Sequence, residues 1–209
     1  IRRILMSKVS GGYLVAKAIK EEGIDKVFGL IGYYVSSVFN NLAKIGIEVI
    51  DTRHEQGAVH MADGYAQMTG QPGIAIVTGG PGFANSVSGI IKAYKSFTPM
   101  IVICGAFEPQ KKDVGGLEDM ELLSLVRQYT KWTATVHDTA RIPEYISMAM
   151  RHALGGRKGP VVLEIPVNYL RQMIEEDTIK WPNNFRTDAK MYGDYEKVSE
   201  AVRVLMGSE

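Results

Sequence analysis

The sequence predicts an α/β fold, a parallel sheet with helices on both faces. Short apolar runs recur at 26–30, 47–50, 73–78, 100–104 and 160–165, with stretches of helical period between them. These runs are apolar at consecutive positions, as strands covered on both sides are. The run at 73–78 also leads straight into Gly79-Gly80-Pro81-Gly82, a turn that opens a new helix.

Each element follows from a local pattern. Leu14, Val15, Ala18 and Ile19 recur with helical spacing over 12–22, and Gly23 stops them. A turn at Ile31-Gly32 separates the first strand from a helix over 35–43. The strand at 47–50 leads to a small-residue helix that runs from Glu55 to about Thr69, with Gly70 as its stop. After the strand at 73–78 a helix is expected over 83–94. Residues 106–116 are polar and aperiodic and read as a functional or mobile loop. A helix over 118–126, a short strand over 133–136 and a helix over 142–154 precede the last strand. The expected organisation is an extension at 1–10, the α/β domain at 11–170, a linker at 171–196 and the start of a further domain at 197–209. Met6 reads as a native start, and the basic residues before it lack the apolar run of a signal peptide.

Composition narrows the function classes. The 209 residues are 45% hydrophobic, enough for one full core, and the net charge of +1 argues against a charge-driven nucleic-acid or membrane partner. The single cysteine, Cys104, lies in an apolar run; it reads as a buried hydrophobe, and a cytoplasmic setting is expected.

Glu55 falls at the carboxyl end of a strand and in the first turn of a helix, where open α/β sheets bind ligands. Thr52-x-x-Glu55 is also a capping box, a purely structural role. The Gly79 to Gly82 turn lacks both the lysine of a P-loop and the spacing of a dinucleotide fingerprint, so by itself it is a tight turn or a weak phosphate site.

Five ordered stretches carry a resemblance. Asp51-Thr52-Arg53-His54-Glu55-Gln56-Gly57-Ala58, with Ala62-Asp63-Gly64-Tyr65-Ala66, resembles the glutamate helix of thiamine-diphosphate-dependent enzymes. Val77 to Asn85 resembles the next loop of their pyrimidine-binding domain. Phe28-Gly29-Leu30-Ile31-Gly32, Thr130-Lys131-Trp132 and Gly159 to Pro166 follow in the family's order. The likeness runs from about Gly11 to Leu170 and is greatest toward the acetolactate synthase, benzaldehyde-lyase-like and 2-hydroxyacyl-CoA-lyase-like group.

The resemblance implies that Glu55 hydrogen-bonds N1′ of the cofactor's aminopyrimidine and favours the imino tautomer that removes the thiazolium C2 proton. It implies cofactor contacts for Thr78, Pro81, Gly82 and Asn85. It suggests substrate contacts for Ile31, Tyr33, Tyr34, Phe83 and Glu118, with aromatic packing as the alternative for the tyrosines and a solvated helix start for Glu118. Glu118 stands where many relatives carry glutamine, and Ile31-Gly32-Tyr33-Tyr34 lacks the Pro-Gly-Gly of acetolactate synthases. The family's Gly-Asp-Gly and following Asn, which hold Mg²⁺ and the diphosphate, are absent from these residues. Mg²⁺ is therefore expected on a domain outside this chain, and FAD is possible but not readable here. A homodimer or homotetramer with the site between subunits is implied, and Gly57, Ala58, Ala62, Gly64 and Ala66 suit close packing either there or on the sheet. The expected activity is a carboligase or lyase of 2-keto acids or 2-hydroxy ketones. The alternatives are one subunit of a two-chain 2-keto-acid decarboxylase and a non-catalytic nucleotide- or CoA-binding module.

Overall fold

The computed structural model describes residues 8–116, 118–183 and 192–208. The chain begins with β1 (Lys8–Ser10) and then alternates: α1 (Gly11–Glu21), β2 (Lys26–Gly29), α2 (Ser36–Ile45), β3 (Glu48–Asp51), α3 (Glu55–Thr69), β4 (Gly73–Val77), α4 (Pro81–Lys95) and β5 (Met100–Ala106). After short 3₁₀ turns come β6 (Trp132–Thr135), α5 (Ile142–Leu154), β7 (Pro160–Pro166), α6 (Val167–Arg171), β8 (Met173–Glu175) and α7 (Tyr195–Met206). The main sheet has six parallel strands in the order β3-β2-β4-β5-β7-β6. β1 and β8 form a separate antiparallel pair.

This order creates the crevice. The chain leaves β2 for β3 at the sheet's edge, then returns past β2 to β4. The direction of winding therefore reverses between β2 and β4, and the loops after these two strands diverge to opposite faces. Open α/β sheets bind ligands at such a switch point.

The sheet separates two cores. One face packs Leu14, Ile19, Leu42, Ile142 and Ile146 from α1, α2 and α5 against Ile74, Ile76, Ile101, Ile103 and Leu163. The other packs Ala58, Val59, Ala62, Phe83 and Ile90 from α3 and α4 against Ala75, Val77, Val102, Cys104 and Val162. Small residues bring α3 and α4 close on that second face. A Cβ on Gly89 would lie 2.7 Å from Val59 Cγ1, and one on Gly73 would lie 2.0 Å from the Ala62 carbonyl oxygen. Between the two helices the buried Asp63 carboxylate pairs with Lys92 and accepts from Gln67 Nε2 at 3.0 and 3.1 Å. An unpaired charge buried there would carry a large desolvation cost, so this contact fixes one helix against the other.

Several expectations are corrected. Residues 118–126 form no α-helix; Leu123–Leu125 and Arg127–Tyr129 are 3₁₀ turns. Leu122, Leu123 and Val126 do point inward, as a helix would place them, but so short a run does not offset the cost of nucleating an α-helix. The α/β unit also reaches beyond 11–170. β1 pairs with β8, and Ile174, Ile179 and Trp181 pack on the first core. Glu176 accepts from Tyr13 Oη at 3.1 Å and from Lys17 Nζ at 2.9 Å, and the Lys17 ammonium lies 4.6 Å from the Trp181 ring centroid. These apolar residues are scattered singly in a polar stretch, so periodicity hid them. Residues 184–191 of the expected linker, and 1–7 with the expected start at Met6, lie outside the described residues. α7 buries none of its residues.

Candidate functional site

Glu55 is the first residue of α3, and its side chain is only 9% exposed. The expected capping box does not form. His54 is the N-cap, its Nδ1 accepting from the Gln56 N–H at 3.2 Å. The Thr52 hydroxyl donates instead to the carbonyls of Gly29 (3.3 Å) and His54 (3.1 Å), tying the end of β3 to the end of β2. Capping thus falls to His54 and strand anchoring to Thr52, and the Glu55 carboxylate is left to face α4.

There Asn85 Nδ2 donates to Glu55 Oε2 at 3.0 Å. Among the described residues none donates to Oε1. That oxygen lies 3.0 Å from where a Cβ on Gly82 would stand, and the same Cβ would meet Thr78 Cγ2 at 2.6 Å. A Cβ on Gly32 would meet Thr78 Cβ at 2.5 Å. At these two glycines the backbone therefore packs directly on Thr78, and at Gly82 on the carboxylate as well, where any side chain would clash. Glu55 opens α3, and Gly82 and Asn85 lie in the first turns of α4, so the two helix amino termini meet here.

The turn after β4 needs its glycines. Gly80 has φ 61° and ψ −129°, a conformation strained for any side chain, and a Cβ on Gly79 would lie 2.3 Å from the Gly105 carbonyl oxygen. Pro81 is the first, exposed residue of α4, where its missing N–H costs nothing.

Tyr34 and Glu118 close the other side. Tyr34 is 7% exposed and packs on Gly79 and Gly105. Burial, reinforced by the hydrogen bond it gives to Glu118, pushes its phenol above the ordinary tyrosine range. Glu118 Cγ lies 3.0 Å from the Cβ position of Gly80, so the carboxylate sits over the turn rather than starting a solvated helix. Tyr33 is 66% exposed. Arg171 stacks on its ring at 4.2 Å and donates to its hydroxyl at 2.9 Å.

The structure thus brings together Glu55, Thr78, Gly82, Asn85, Tyr34 and Glu118, with Pro81 at the rim. Ile31 is 54% exposed beside them in the turn after β2. Phe83 is the exception. It is fully buried in the core under α4, so the substrate contact expected of it is withdrawn. Helical geometry explains the error, because one residue past Gly82 the side chain points about 100° away, onto the sheet. Sequence reasoning missed Gly105, whose only signal was its place at the end of an apolar run. It also missed Arg171, which is 138 residues from its partner Tyr33 and was assigned to a linker.

Comparison with known proteins agrees with this geometry. The family profile described as thiamine pyrophosphate enzyme, N-terminal TPP binding domain, matches residues 9–125. An acetolactate synthase large subunit of Haemophilus influenzae is 38% identical over 162 residues, covering 77% of this chain and 28% of that protein. One from Buchnera aphidicola subsp. Schizaphis graminum is 33% identical over 205 residues, covering 96% of this chain and 36% of that protein. A 2-hydroxyacyl-CoA lyase of Arabidopsis thaliana is 31% identical over 168 residues, covering 80% and 29%. The chain therefore spans about a third of the length of these relatives. With this match over more than half its residues, the chain belongs to the thiamine pyrophosphate enzyme family as an N-terminal TPP-binding domain.

Proposed function

We propose that the chain is the pyrimidine-binding part of a thiamine-diphosphate-dependent carboligase or lyase, most like acetolactate synthase, acting on 2-keto acids or 2-hydroxy ketones. The observation that carries this reading is the buried Glu55 carboxylate, with Oε2 held by Asn85 and Oε1 facing the side-chain-free Gly82. When bound, thiamine diphosphate supplies a nucleophilic carbon and an electron sink for making or breaking a carbon–carbon bond beside a carbonyl. Glu55 holds and moves the proton at Oε1 toward the pyrimidine ring. Asn85 fixes the other oxygen, so the carboxylate cannot rotate away. Thr78 and Gly82 pack against each other beside the carboxylate, and Gly82 leaves Oε1 free of a neighbouring side chain. Tyr34 and Glu118 cover the Gly79-Gly80 turn and exclude water from that side.

Among the described residues, no three His, Cys, Asp or Glu side chains gather as a metal site. Mg²⁺ and the diphosphate belong, in this reading, to a domain outside the chain, and FAD, if used, to another. The site is shared between subunits of a homodimer or homotetramer. Supporting this, Ala58, Ala62 and Ala66 turn inward onto the sheet, while Met61 (43% exposed), Gly64 and Met68 (87% exposed) face outward from the helix that begins at Glu55. Among the described residues no helix is long and apolar enough to cross a membrane, and a cytoplasmic setting is part of the proposal.

Titrating thiamine diphosphate with Mg²⁺ into this chain and into the complete assembly tests the reading. Binding by the assembly and weak or absent binding by the chain is expected. Tight binding by the chain alone would contradict the shared site, and binding by neither would leave only the nucleotide- or CoA-binding module.

A further inference from the structure

The near-neutral net charge conceals a strong segregation. No carboxylate occurs between Asp63 and Glu108, between Glu121 and Asp138, or between Glu144 and Glu164. The fold brings the basic ends of these three stretches to one place, the amino-terminal edge of β5, β6 and β7, opposite the Glu55 site. Contacts define the cluster. Lys131 Nζ donates to the Gly155 carbonyl at 2.5 Å, and its backbone N–H donates to the Pro160 carbonyl at 2.8 Å. The Arg157 guanidinium lies 3.5 Å from the centroid of the Phe97 ring, which is 46% exposed. His152 stacks on Trp132 at 4.9 Å, beside Lys131.

Helix ends account for Lys95 and Arg151, which lie in the last turns of α4 and α5. Lys131 also serves a helix end, since Gly155 is the C-cap residue of α5, but Arg157 and Lys158 lie beyond any helix end. Among the described residues, none of these five cations has a carboxylate partner within salt-bridge distance. Burial lowers the His152 pKa, and the neighbouring Arg151 and Lys131 lower it further. Two of the cations are also pre-ordered. Lys131 is tethered to Gly155, and Arg157 is held flat on Phe97 with its N–H edge available.

We propose that this edge, formed by Lys95, Lys131, Arg151, Arg157 and Lys158, is a binding site for a polyphosphate-bearing small molecule, separate from the Glu55 site and independent of the reaction assigned to it. Cations supplied by the ends of α4 and α5 and by the segments leading into β6 and β7 match a ligand that carries several negative charges over a short length. Tetrahedral phosphates accept from several directions at once, and a guanidinium fixed on an aromatic ring offers them a planar fork.

The test is calorimetric titration of the chain with sodium tripolyphosphate at low and moderate salt, with hexaglutamate as counter-probe. The Arg157→Gln/Lys158→Gln double variant changes exposed loop residues, and the Lys20→Gln/Lys44→Gln variant removes the same charge elsewhere. Binding that weakens tenfold or more in the first variant, weakens little in the second and exceeds that of hexaglutamate is expected. Equal loss in both variants would reduce the effect to net charge and overturn the proposal. Hexaglutamate binding as tightly would overturn it in favour of an acidic protein partner. No tripolyphosphate binding at low salt would make the edge ordinary solvated surface.

Discussion

The two faces of the sheet are built by opposite means. Under α1, α2 and α5, branched side chains such as Leu14, Ile19, Leu42 and Ile142 are fully buried, and bulk fills the space. Under α3 and α4, alanines and glycines bring backbones together, and the buried polar groups Glu55, Asp63 and Ser86 sit among them. The first face is dominated by apolar bulk, although Gly12 lets α1 approach Ser37 of α2 closely, and the second adds the buried carboxylates Glu55 and Asp63. On the second face the buried carboxylates are held at fixed positions, Glu55 by Asn85 and Asp63 by Lys92. The difference teaches that stability and chemistry are divided across one sheet, so the faces should fail in opposite ways.

The largest expected stability effect is on the bulky face. Leu14→Ala removes a side chain with no exposure and should cost about 2–5 kcal/mol in denaturant unfolding. Because it leaves α3 and α4 untouched, it should not change cofactor binding by the folded enzyme. On the small-residue face, adding rather than removing a methyl does the damage. Gly89→Ala places a Cβ 2.7 Å from Val59 Cγ1 and should cost about 1–3 kcal/mol. A neutral or stabilising Gly89→Ala would break the distinction.

A smaller, pH-dependent effect comes from Glu164. It lies on β7 and accepts from Thr135 Oγ1 at 2.7 Å. Burial raises its pKa above 4.5; Glu121 adds to this, while the Thr135 hydrogen bond, Lys112 and His137 oppose it. A carboxyl raised in the folded state binds its proton more tightly there than when unfolded. Its contribution to stability is therefore complete below the unfolded pKa and is lost as pH rises through the folded one. Unfolding free energy should accordingly decline from about pH 4.5 upward in the parent chain. Glu164→Gln keeps an acceptor for Thr135 and should flatten that slope. An unchanged slope would show that another group titrates there.

The comparison also explains what could be read from sequence. The bulky face and the strands were legible because continuous β-branched runs and i, i+3, i+4 spacing report burial directly. Helix α5 falls at the expected 142–154. The strand end and helix start at Glu55 were legible, but the capping box was not what forms there, because the strand-end hydrogen bonds of Thr52 override the Thr52-x-x-Glu55 pattern. Phe83 could not be distinguished from its neighbour Gly82 by motif, since the turn that separates them is a matter of helical phase. Glu118 against Gly80, Arg171 against Tyr33 and β8 against β1 are long-range contacts between stretches with no shared period, and no local pattern encodes them. The basic edge was hidden for the same reason, as its cations come from separate segments whose charges disappear into a net of +1.

The central claim is that Glu55 moves a proton at the cofactor and is not there for the fold. The most direct measurement is the rate of exchange of the thiamine diphosphate C2 proton for deuterium, by NMR, in the complete enzyme and its Glu55→Gln variant. A loss of about 100-fold or more, with thermal stability and cofactor binding largely retained, is the predicted result. Unchanged exchange in a folded, cofactor-loaded Glu55→Gln enzyme would contradict it.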